Sequence, residues 1–136
     1  PAAMVDGAPE PWPRFLELPH AVAPAKLATQ LYAGPAGSGA PPHYHQDAFN
    51  ALLAGADGAA KLWLLWPPAR AAYSATPALD FARALALNAS LPRPLVCAQR
   101  VGDVVFVPAG WGHAVLNTRE VAGLAVEFVY RYNRLV

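Results

Sequence analysis

Leu124, Val126, Phe128 and Tyr130 alternate with Ala125, Glu127, Val129 and Arg131, the period-two pattern of a strand with one face buried. Shorter apolar runs from Lys26 to Ala33, Phe49 to Ala54, Lys61 to Trp66, Leu95 to Gln99, Val104 to Val107 and Trp111 to Asn117 read as further strands. The Asp57-Gly58 pair between two of these runs predicts a hairpin joining them, and a second hairpin is predicted to end at His113. One stretch has helical spacing instead. Leu79, Ala82, Leu85 and Ala86 recur on one face, which predicts a helix near 77–87 with Thr76 as its cap and Pro77 in its first turn. Asn88 and the Pro92/Pro94 pair stop it.

Punctuation is dense, with 15 Pro and 10 Gly spread along the chain, so short elements joined by many turns are expected. The opening carries five prolines between Pro9 and Pro24 and is expected to be an irregular wrap over 1–25, anchored by Trp12 and Phe15. The expected organisation is a single domain over 1–136 whose core occupies 26–136. Many short strands and one helix in so small a unit predict an all-β fold, a barrel or sandwich with one inserted helix.

Composition narrows the function classes. Of 136 residues, 55% are hydrophobic and only 14% charged, which excludes an intrinsically disordered tail. The formal net charge is +1 with no basic run, so no nucleic acid partner is expected. No apolar stretch approaches the ~18 residues of a membrane span, and none is expected. Cys97 is the single cysteine and closes no intrachain disulfide. The chain opens at Pro1 with its only Met at position 4, as a fragment or processed form would.

Three of the four histidines fall in two places. In an extended His43-Tyr-His45-Gln-Asp47 the side chains of His43, His45 and Asp47 leave one face. A barrel can bring His113 beside them, giving two His and one carboxylate, or three His, around a divalent metal. His20 reads as structural. Lys61, at the start of the most hydrophobic strand, is either a snorkelling lysine or a buried ammonium for an anionic ligand. Asn88-Ala-Ser90 fits the glycosylation acceptor pattern.

The run Gly102-Asp-Val-Val-Phe-Val-Pro-Ala-Gly-Trp-Gly-His-Ala-Val-Leu-Asn117 resembles the second metal-binding stretch of the JmjC-domain, cupin-like proteins. Upstream, the segment from Ala33 to His45 and Lys61-Leu-Trp-Leu-Leu-Trp-Pro-Pro68 resemble the corresponding regions of a small lumenal member of that family. The resemblance runs from about Leu31 to Phe128. It implies a double-stranded β-helix (jelly roll) holding Fe(II), with 2-oxoglutarate as cosubstrate, dioxygen as co-reactant and a protein or peptide as substrate. By position the distal ligand becomes His113, and Lys61 becomes the lysine that pairs with the cosubstrate's far carboxylate. The first pair stays open between His43 with His45 and His45 with Asp47. Ala40 and Ala125 stand where many relatives carry threonine, so Asn50 and Asn117 are the remaining candidates for cosubstrate contacts. The endoplasmic reticulum lumen is the compartment the resemblance suggests. A Fe(II)- and 2-oxoglutarate-dependent oxygenase is the reading this favours; a non-catalytic binding module and a three-His cupin are its rivals.

Overall fold

The computed structural model describes residues 26–129. The expected N-terminal wrap, with Trp12, Phe15 and His20, lies outside the described residues. Eight strands follow in order: β1 (Lys26–Gly34), β2 (Gly39–Tyr44), β3 (Ala48–Gly55), β4 (Ala60–Trp66), β5 (Leu95–Arg100), β6 (Val104–Val107), β7 (Gly112–Asn117) and β8 (Val121–Val129). A helix, α1 (Ala78–Leu87), is inserted between β4 and β5. Two antiparallel sheets result, with strand orders β1-β8-β3-β6 and β2-β7-β4-β5. This is a jelly roll, the double-stranded β-helix architecture expected.

Both predicted hairpins are corrected by the pairing. Gly58 does turn the chain, with φ +74, a backbone region that suits glycine. However, β8 and β6 take the two edges of β3, whereas β7 and β5 take those of β4. The Asp57-Gly58 turn therefore carries the chain from one sheet to the other. The same holds between β6 and β7, which also lie in opposite sheets.

Alternation along β4 sorts its side chains to two sides. Leu64 and Trp66 face outward, where they pack with Ala114, Phe81, Leu85 and Leu91 under the helix. Burying a leucine such as Leu85 there contributes about 2 kcal/mol. Trp66 Nε1 donates to Pro92 O at 2.9 Å, and Arg93 Nη1 donates to Leu85 O at 2.8 Å, satisfying a carbonyl of the last helical turn. Thr76 does not cap the helix. Pro77 occupies the N-cap position with its φ fixed near −50°, and no side chain bonds the first turn.

The inward face is the functional one. Phe49, Ala51, Trp63, Val107 and Ala125 form the core between the sheets, with Cys97, Trp111 and Val115 against it. Gln99, 1% exposed, ties the sheets together from within. Its Oε1 accepts from Trp63 Nε1 at 2.8 Å, and its Nε2 donates to Ala51 O at 2.7 Å and Asp103 O at 2.9 Å.

Candidate metal centre

His43 lies directly opposite His113 in the β2–β7 pair. The pairing is irregular between Ala40 and His43, at Pro41-Pro42, where two residues lack backbone donors. That irregularity aims His43 inward, and His43 Nδ1 bonds Pro41 O at 2.7 Å. His45 follows just past the end of β2. Its carbonyl accepts from Gly110 N at 2.8 Å, which fastens it to the loop leading into β7. The three rings converge, with centroids 4.2 Å apart for His43 and His113, 5.1 Å for His43 and His45, and 5.3 Å for His45 and His113. One nitrogen from each of His43, His45 and His113 lies within 4.8 Å of the others.

Each ring has a defined acceptor at Nδ1. His43 meets Pro41 O, His113 meets Trp111 O at 3.2 Å, and His45 meets Glu127 Oε1 at 3.0 Å. Carbonyl and carboxylate oxygens only accept, so in each of these contacts Nδ1 is the donor, which leaves Nε2 as the nitrogen available to a ligand. His113 is 3% exposed, and burial, with the neighbouring His43, pushes its pKa down from 6.5 to about 3, opposed by its bond to Trp111 O. It is therefore uncharged at neutral pH, as a ligand must be.

Asp47 stands apart from the three histidines and does not line their cavity. The strand ends at Tyr44, and 46–47 form a bend, so the two-residue alternation that would align 43, 45 and 47 does not continue. A site of His43, His45 and His113 is what the geometry assembles.

The cavity beside the triad measures about 430 Å³. Inward residues of the second sheet line it in rows: His113, whose register partner is Leu65, then Trp63 opposite Val115, then Lys61 opposite Asn117. The first and last rows are four residues apart, about 13 Å along the strands. Lys61 is 8% exposed, and burial lowers its pKa from the ordinary 10.5. Among the described residues no carboxylate pairs with it. Its Nζ lies 5.9 Å from the centroid of the Tyr32 ring, a cation–π contact. Gly123 makes room for it, since a Cβ there would sit 3.4 Å from Nζ and 3.2 Å from Leu52 O.

Asn117 lines the same cavity. Its Nδ2 donates to Ser38 Oγ at 3.0 Å, and its buried Oδ1 has no partner. Asn50 is 2% exposed but does not reach the cavity, because it alternates with Phe49 and Ala51, which do. Glu127 was not singled out by its spacing. The signal was a carboxylate on a strand side otherwise held by Gly123 and Ala125.

Sequence relatives bear on this arrangement. The chain is 33% identical over 115 residues to the human 2-oxoglutarate and iron-dependent oxygenase JMJD4. It is 31% identical over 123 residues to the Arabidopsis thaliana arginine-specific demethylase JMJ22, and 36% over 93 residues to mouse JmjC domain-containing protein 8. These alignments cover 76%, 77% and 60% of the chain. The chain belongs to the JmjC-domain family.

This JmjC chain spans less than a third of the length of those relatives, 27%, 24% and 30% respectively. No family model matches it. No helix among the described residues of the JmjC chain is long and apolar enough to cross a membrane.

Proposed function

We propose that the chain is the catalytic barrel of a JmjC-type oxygenase that uses Fe(II) and 2-oxoglutarate. The single observation that carries this reading is the pairing, in one cavity, of three converging imidazoles with a buried ammonium that forms no ion pair among the described residues. Imidazole nitrogen suits iron, and a lone buried ammonium calls for an anion. The donor set thus fits both groups. The names of two relatives, which state dependence on iron or specificity for arginine demethylation, agree with it.

In this reading His43, His45 and His113 hold the metal through Nε2. Lys61 binds the far carboxylate of the cosubstrate through its ammonium group. When bound, the iron and 2-oxoglutarate supply oxidation of a substrate C–H bond to C–OH by dioxygen, with the cosubstrate leaving as succinate and carbon dioxide. The protein's part is positioning. Trp63, Phe49 and Val115 keep the wall between the histidines and Lys61 apolar, which excludes water and strengthens the Lys61–carboxylate attraction. A basic protein side chain is the first substrate class to try, since relatives include arginine- and lysine-specific demethylases.

The test is anaerobic Fe(II) titration, followed by succinate release on admitting oxygen with and without 2-oxoglutarate. One metal per chain and 2-oxoglutarate-dependent succinate are expected, both lost in His113→Ala. Tight metal binding with no succinate under any condition favours a second reading, a three-His metal protein, which the lack of a carboxylate in the cluster supports. A chain that takes up no divalent metal overturns both and leaves a non-catalytic module.

A further inference from the structure

Three neutral imidazoles bring no negative charge to a divalent ion, whereas a site with a carboxylate ligand would. Glu127 stands on β8, opposite Ala28 on one side and Phe49 on the other, with its side chain turned into the barrel. Among the described residues it is the only carboxylate lining the cavity, and its hydrogen-bond partner is His45 Nδ1. The contact joins positions 82 apart in sequence, at 3.0 Å, with both side chains only 20–25% exposed.

We infer that Glu127 is a positioning residue of the metal centre: it holds the His45 proton on Nδ1, turns Nε2 toward His43 and His113, and supplies through the ring the negative charge that the ligand set lacks. A carboxylate behind a ligating histidine fixes its tautomer and raises its basicity. A contact out in solvent would do neither, but this one faces inward against Phe49, whose ring centroid lies 5.2 Å from that of His45. The inference rests on the metal-binding part of the proposed function and not on turnover.

Two measurements on the wild type, Glu127→Ala and Glu127→Gln test it. In the metal-free chain at mildly alkaline pH, nitrogen NMR of the imidazoles should show His45 with its proton on Nδ1. Alanine should shift it toward the Nε2-protonated form, and glutamine, which keeps an acceptor, should restore the wild-type form. In Co(II) titrations, alanine should weaken binding about 10- to 100-fold, with a changed visible spectrum, and glutamine should fall between. Unchanged affinity and unchanged His45 tautomer in both variants overturn the inference while leaving the proposed function intact. A wild-type chain that binds no Co(II) overturns the proposed function and the role of Glu127 together.

Discussion

His43 and His113 are register partners across the β2–β7 pair, and their ring centroids lie 4.2 Å apart although 70 positions separate them in the chain. The site is thus a property of sheet pairing.

Single substitutions should separate ligands from bystanders. His43→Ala, His45→Ala and His113→Ala should each lower Fe(II) or Co(II) affinity by about 100-fold or more, since a three-donor site cannot lose one donor cheaply. Asp47→Asn should leave affinity within about twofold. Isothermal titration of the four variants decides, and a large loss in Asp47→Asn would place that carboxylate at the metal.

Lys61→Met should have opposite effects on stability and on ligand binding. Removing an ammonium that is 8% exposed and in no ion pair among the described residues should stabilise the ligand-free chain by roughly 1–3 kcal/mol, read from urea midpoints. The same change should abolish measurable 2-oxoglutarate binding while metal affinity holds. A destabilised Lys61→Met would mean that the ammonium has a partner in the folded state.

Acid should destabilise the metal-free chain through His113. Its folded pKa of about 3 lies below the unfolded value of 6.5, so between these limits the unfolded chain binds more protons. Stability from this group is full above pH 6.5 and drains away as pH falls toward 3, by up to about 1.4 kcal/mol per unit. Urea midpoints measured across that window in wild type and His113→Phe check this. The variant should show the shallower dependence.

Gln99→Leu should be among the more damaging substitutions outside the histidines. It leaves the buried Trp63 Nε1 without its acceptor and takes a donor from Ala51 O, and a buried group left unmatched costs about 1–3 kcal/mol. A loss of about 2–4 kcal/mol is expected from chemical denaturation. A near-neutral result would show that water reaches those groups.

The strands and the helix were legible because their apolar residues repeat at periods of two and near four, and Gly102 to Asn117 carried enough family character to place His113. Pairing was not legible. Asp57-Gly58 turns the chain whether the flanking strands pair or part, and only competition for strand edges decides between these outcomes. Asp47 illustrates the same limit, since a bend after Tyr44 ends the alternation that the sequence suggests. Asn50 and Lys61 lie on successive strands, yet only Lys61 lines the cavity, because period two names two faces without saying which is inside. Glu127 stayed hidden because its partner, His45, is brought near only by folding.

The described segment begins and ends on the same seam: Lys26 pairs with Val129 and Gly34 with Val121. A ribosome emitting this chain would release all three histidines before the strand that closes the barrel and delivers Glu127. Such distant pairing makes for slow, late completion. Truncation inside β8 should consequently remove two things at once, the mate of β1 and the acceptor behind His45, and yield an open, aggregation-prone half-barrel instead of a slightly weakened fold.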